Sequence, residues 1–327
     1  MALLAEGAIR EIASYYGLNV IASIERRTVT GLITADGQNY VWKFAEEKDS
    51  EKRLAALSKV SQLLQEKGIR FAVALPNQNH VYLTRLHTIP SLGYLQPWLP
   101  GRHLNLGLPN ERMAAIHALA QLHQIPVQRM DASVLSHHTP LQQRIFLKAR
   151  ALSGVWKDAC ERCPPLEPFS VGVLKQVAQV LEEPAPFYRQ LVEFRQLSFC
   201  HRDLAPHNLL VGPAQEVQLI DFDQSGLDDP LYDVAQIANH SLFLGNLQAG
   251  DWRKMMDAYV EAAHLSPLRE RLLWRILAWP DILARSLVEW AKRGYPADDW
   301  ARVHYALKCE SKRRQLLYSD SPYPIRM

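Results

Sequence analysis

The stretch most restrictive of the fold runs from Cys200 to Asp223. It reads Cys200-His201-Arg202-Asp203-Leu204-Ala205-Pro206-His207-Asn208, then the apolar run Leu209-Leu210-Val211. Gly212-Pro213-Ala214 follows, then a second apolar run, Val217-Gln218-Leu219-Ile220, which closes on Asp221-Phe222-Asp223. Two short apolar runs separated by Gly-Pro punctuation predict a hairpin. Such a hairpin brings Asn208 and Asp221, 13 positions apart in sequence, side by side at its open end.

Those residue types suit one kind of chemistry. Asp203 can accept a hydroxyl proton and orient the oxygen that carries it. Asn208 offers a neutral oxygen and Asp221 a carboxylate, a pair suited to a hard divalent cation such as Mg²⁺. A proton acceptor plus two oxygen ligands is what phosphoryl transfer to a hydroxyl requires. The competing reading is a polar loop between two core strands.

The rest of the chain supports a large globular body. Its 327 residues exceed one average domain, so two domains or one bilobed unit is expected. Hydrophobic residues make up 48% and charged residues 22%, which argues against disorder. The balance of 37 basic and 34 acidic residues excludes an evident nucleic-acid binder. Six basic residues gather near the end (Arg302, Lys308, Lys312, Arg313, Arg314, Arg326) beside Glu310 and Asp320, and read as a solvated helix end. Four cysteines make no disulfide framework, and Cys160-x-x-Cys163 reads as two free thiols in a loop. Without a secretory pattern in the first 20 residues or an apolar run of 18, the expectation is a cytoplasmic chain with no membrane span.

Periodicity divides the chain. A helix is predicted over 1–17, strands over 19–25, 27–34 and 39–44, and a helix over 51–67 capped by Gly68. Strands are expected at 79–85 and 93–99, before Pro97, Pro100 and Gly101 break the chain. Beyond residue 110 the pattern is mainly helical, beginning with a helix over 110–124 capped by Asn110. The predicted fold class is α+β: a small antiparallel-sheet lobe over 1–97 and a larger, mainly helical lobe over 98–327.

On the run from His201 to Asn208, on Ile220-Asp221-Phe222-Asp223 and on Asp229-Pro230-Leu231-Tyr232-Asp233, the sequence resembles the aminoglycoside phosphotransferase and choline kinase-like superfamily. Leu119-Ala120-Gln121-Leu122-His123 is similar to a helix end in the same families. The segment after Asp223 is too short for the activation segment of a protein kinase. The short strand-rich start and the tail resemble the bacterial spore-coat kinase-like group.

The resemblance implies a bilobal protein-kinase-like fold with ATP between the lobes and Mg²⁺ beside it. It implies Asp203 as catalytic base, Asn208 and Asp221 as metal ligands, and Lys43 on the α- and β-phosphates. Val41 would lie against adenine, and the backbone from Gln96 to Trp98 would meet the adenine edge. His201 and Asp233 would hold the catalytic loop, while Asp223 would touch the metal or support a residue that does. Two departures stand out. The phosphate-covering loop at 24–28 contains no glycine, with Arg26 and Arg27 as the compensating candidates. Glu51 is the candidate partner of Lys43, in competition with Glu46 and Glu47.

The implied activity is Mg²⁺-ATP-dependent phosphorylation of a small hydroxyl compound: a sugar, an amino alcohol or an aminoglycoside. Trp274, Trp279, Asp281, Arg285, Glu289 and Trp290 are candidates to wall the acceptor pocket, although the apolar ones read more readily as core. The alternatives are a kinase-fold scaffold with spore-coat partners and a protein serine/threonine kinase.

Overall fold

A computed structural model describes residues 4–26, 29–46, 49–135, 139–181, 186–245 and 247–324. The strands are β1 (Val20–Arg26), β2 (Val29–Thr34), β3 (Asn39–Phe44), β4 (Arg70–Phe71), β5 (Thr84–Leu86), β6 (Ser91–Pro97), β7 (Arg102–His103), β8 (Ser198–Cys200), β9 (Leu209–Val211), β10 (Val217–Leu219) and β11 (Gly226–Asp228). The helices are α1 (Glu6–Tyr16), α2 (Glu51–Gln65), α3 (Pro109–His123), α4 (Ala132–Leu135), α5 (Leu141–Arg162), α6 (Ser170–Leu181), α7 (Pro186–Glu193), α8 (Leu231–Leu244), α9 (Asp251–Ala262), α10 (Pro267–Leu277), α11 (Asp281–Lys292) and α12 (Trp300–Asp320). Arg27, Glu47 and Arg326, all named from the sequence, and position 28 of the 24–28 loop lie outside the described residues.

The chain forms two compact units. The first comprises Met1–Leu104, Ile125–His137 and His207–Ser225. Its larger sheet runs β1-β2-β3-β6-β5, with every neighbouring pair antiparallel. Alternation along β3 sets its two faces. Trp42 turns into a core with Leu32, Leu86 and Leu95, which Leu4 and the α1 residues Ala8 and Ile12 complete. Gly93 on β6 is required there, because a Cβ would sit 2.4 Å from the Trp42 ring. Val41 and Lys43 point to the opposite face.

The second sheet of this unit runs β4-β10-β9-β7. The predicted hairpin is present as β9 and β10, with Leu209 opposite Leu219. Residues 207–225 therefore belong to the same unit as the first hundred residues. Helix α2 begins at Ser50, whose side chain accepts from Arg53 N, and buries Leu54, Leu57, Val60 and Leu64. Gly68, in the left-handed region with φ of 78°, turns the chain after the helix.

The second unit comprises Asn105–Gln124, His138–Pro206 and Gly226–Met327. It is mainly helical, with one small antiparallel ribbon, β8 paired with β11. Trp252, Trp274 and Trp290 are fully buried in it, and the ring of Trp290 meets those of Tyr295 and Trp300 edge-on. No helix among the described residues is long and apolar enough to cross a membrane.

Four local expectations are corrected. Only Thr84–Leu86 of the stretch around 79–85 is strand. The Asn77 side chain accepts from Asn79 N and Val81 N, a local turn that competes with sheet pairing. Asn110 is not the cap of α3: the helix starts at Pro109, whose missing N–H costs nothing at that position. Cys160 and Cys163 are free thiols, yet they lie in the last turn and at the C-terminal cap of α5 rather than in a loop. The basic tail is not merely solvated. Arg313 is buried on Glu310, and it donates to the carbonyls of Leu277 and Ala278. Asp320 accepts from the N–H groups of Gly250, Trp252 and Arg253 at the start of α9.

Candidate active site

In the first unit, β3 delivers Lys43 to two carboxylates. Its Nζ lies 2.8 Å from Asp221 Oδ1, and 2.8 and 2.7 Å from the two oxygens of Asp223. Burial works against the lysine's charge, but Asp223 and Asp221 outweigh it and hold the ammonium above its ordinary value. Tyr94, directly opposite Lys43 on β6, donates its hydroxyl to Asp223 at 3.2 Å. Burial, reinforced by the charge of Asp223, pushes the Tyr94 phenol well up, so it stays a donor.

The hairpin sets the rest of this cluster. Ile220 N donates to Asn208 O at 3.1 Å, which extends the β9–β10 pairing and places Asn208 next to the residue preceding Asp221. Asp221 has φ of 63° in the left-handed region, a conformation that aspartate tolerates better than most side chains. It ends the strand abruptly and starts a short turn over Phe222–Gln224. Phe222 is buried with its ring against Phe71 of β4. The carboxylate of Asp221 and the amide oxygen of Asn208 are oxygen donors of the kind that fits Mg²⁺.

Helix α2 contributes an arginine that the sequence reading missed. Arg53, only 4% exposed, donates to the carbonyls of Phe222, Asp223 and Ser225. Glu51, the candidate partner of Lys43, is engaged elsewhere. Glu51 accepts the N–H groups of Tyr82 and Leu83 at 2.7 and 2.9 Å. A signal for Arg53 was present, since it stands four positions before Leu57 and seven before Val60, on the buried stripe of the helix.

Of the residues expected to meet adenine, Val41 and Gln96 lie on adjoining strands and Trp98 follows the end of β6. Val41 pairs with Gln96 on one side and with Gly31 on the other. Trp98 N donates to Asn39 O, and its indole covers Gly31 so closely that a Cβ there would lie 2.3 Å from the ring. Thus Gly31 makes room for Trp98 on the Val41 side of the sheet.

In the second unit, Asp233 organises the loop that bears Asp203. It accepts His201 N at 2.7 Å, Arg202 N at 3.0 Å and His123 Nε2 at 3.3 Å. Arg202 has φ of 71°, a strained value for arginine that these bonds help to hold. Gln236, one helical turn after Asp233, spans the loop by accepting Leu204 N and donating to Arg202 O. Asp203 N donates to His201 Nδ1 at 3.4 Å. The Asp203 side chain is half-buried.

His123, Cys200 and Asp233 lie close enough to suggest a metal trio. Both ring nitrogens of His123 are nevertheless engaged, by Tyr259 and Asp233, and Cys200 Sγ donates to the carbonyls of Ser198 and Asp228. Among the residues considered for an acceptor wall, Trp274 and Trp290 are core and Trp279 is buried. Asp281 holds Lys148, Glu289 pairs with Arg302, and Arg285 is exposed.

The fold is protein-kinase-like, as the comparisons show. An aminoglycoside phosphotransferase from Alicyclobacillus acidocaldarius superposes with a TM-score of 0.79 at 18% identity, covering 98% of this chain and 96% of that one. A spectinomycin phosphotransferase bound to AMP gives 0.65 at 12% identity, with coverages of 97% and 99%. A choline kinase from Streptococcus pneumoniae gives 0.52 at 14% identity, with coverages of 95% and 97%. No curated protein sequence matches the chain. The model of the phosphotransferase enzyme family, APH, matches residues 26–274, and the chain belongs to that family.

Proposed function

We propose that the protein moves the γ-phosphoryl group of Mg²⁺-ATP to a hydroxyl of a small molecule of sugar, amino alcohol or aminoglycoside type. The observation that carries this reading is the Lys43–Asp221–Asp223 cluster at the end of the hairpin that bears Asn208. Membership of the family supports it, as do neighbours described as aminoglycoside phosphotransferase, AMP-bound spectinomycin phosphotransferase and choline kinase.

Each residue has a part. Lys43 binds the α- and β-phosphates, Val41 packs on adenine, and the backbone of Gln96 and Trp98 meets its edge. Asn208 and Asp221 hold Mg²⁺, which neutralises phosphate charge when bound. Asp203 orients the acceptor hydroxyl and takes its proton. His201, Asp233 and Gln236 keep the loop of Asp203 in its strained form.

The test is transfer of labelled γ-phosphate to a panel of hydroxyl compounds. Asp203→Asn should lower kcat by about 10²–10⁴-fold while leaving nucleotide affinity near wild type. Near-normal turnover in that variant would remove Asp203 from the role of base.

A further inference from the structure

We propose that Asp223, rather than a glutamate of α2, positions Lys43 for the nucleotide, and that Tyr94 and Arg53 hold Asp223 in place. This inference deepens the functional reading above and rests on it. Three observations carry it. Asp223 presents both carboxylate oxygens to Lys43, within 2.8 Å, and Lys43 also reaches Asp221 Oδ1 at 2.8 Å. Tyr94 stands opposite Lys43 in the sheet register, so the donor that steadies Asp223 and the lysine that Asp223 steadies come from paired positions of β6 and β3. Arg53 fixes the backbone on both sides of Asp223 through the carbonyls of Phe222, Asp223 and Ser225.

The carboxylate at the start of α2 is committed elsewhere. Glu51 accepts two backbone N–H groups, and drawing it away to Lys43 would leave both without their acceptor. Helix α2 therefore acts on the lysine through Arg53 and the 222–225 backbone. The two aspartates divide the work. Asp221, with 41% of its side chain exposed, is the more open to a cation, and Asp223, at 25%, is the more enclosed counter-charge of Lys43. With Asp223 in place, Lys43 keeps a partner when Asp221 turns to a metal.

The experiment measures ADP affinity calorimetrically across a Mg²⁺ series for wild type, Asp223→Asn, Asp223→Glu, Glu51→Gln, Lys43→Met and the Lys43→Met/Asp223→Asn double variant. Unchanged melting temperatures establish that each is folded. Asp223→Asn should weaken ADP binding about tenfold or more at saturating Mg²⁺, with the Mg²⁺ midpoint unmoved. Asp223→Glu should recover part of the loss, and Glu51→Gln should bind like wild type. In the Lys43→Met background the Asp223 substitution should add less than about twofold, because its effect passes through the lysine.

A shifted Mg²⁺ midpoint with affinity intact at saturation would make Asp223 a metal ligand and overturn the inference. Full additional loss in the double variant, or a Glu51→Gln defect matching that of Asp223→Asn, would overturn it as well. Wild-type affinity in Asp223→Asn would overturn it alone and leave the functional reading standing. Absence of Mg²⁺-ADP binding by the wild type would bring down both.

Discussion

Asp221 and Asp233 are carboxylates 12 positions apart in one motif-rich stretch, and the fold treats them differently. In the helical unit, Asp233 has 1% of its side chain exposed, and its oxygens receive two backbone N–H groups and an imidazole. In the sheet-bearing unit, Asp221 keeps 41% exposure, leans on Lys43 and itself has a left-handed backbone. A carboxylate whose oxygens serve the backbone is a structural clamp. One left open to solvent, beside a lysine and a second carboxylate, is equipped for a ligand. Removing the first should damage the fold, and removing the second should damage binding.

The largest expected stability effect is at the clamp. Asp233→Ala leaves His123, His201 N and Arg202 N without their shared acceptor, and should cost about 3–5 kcal/mol of unfolding free energy. Denaturant titration beside Asp221→Ala, which should lose far less, checks this. Equal losses in the two variants would erase the distinction between the clusters.

A smaller effect is in acid. Burial raises the proton affinity of Asp233, but the His123 hydrogen bond, the charges of His123 and His201 and the His201 N–H outweigh it and hold the carboxyl below its ordinary value. Its contribution is therefore fully present above the ordinary carboxylate range and is lost as pH falls through the depressed value. The stability gap between wild type and Asp233→Asn should narrow below about pH 4. A gap that stays constant from neutrality into that range would contradict the assignment.

Legibility followed the range of the interactions. The β9–β10 hairpin was readable because apolar runs and Gly-Pro punctuation are local signals, and Trp42 faces the core as strand alternation requires. The alternation also put Val41 and Lys43 together on the other face. The partner of Lys43 was not readable, because the rotation of α2 is set by packing its Leu57–Val60–Leu64 stripe, which turns Arg53 inward. Gln236 was missed for a related reason. Its side chain matters only after α8 has been docked beside the 201–204 loop, although the spacing of three from Asp233 put both on one helix face. The strand expected at 79–85 failed because the Asn77 side chain rewarded a local turn over a ladder. Glu310 and Arg313 read as solvated charge because nothing in the sequence announced the carbonyls of Leu277 and Ala278 as acceptors.

The most direct test of the open cluster as the nucleotide site is thermal unfolding of wild type and Asp221→Asn, each with and without Mg²⁺-ATP. Ligand at 100 times its Kd should stabilise the wild type by about 2.7 kcal/mol. For a chain of this length that is roughly 4 °C in Tm. The account predicts that this rise needs Mg²⁺ and disappears in Asp221→Asn, whose unliganded Tm stays close to wild type. No rise in the wild type at millimolar Mg²⁺-ATP, or an equal Mg²⁺-dependent rise in the variant, would contradict it.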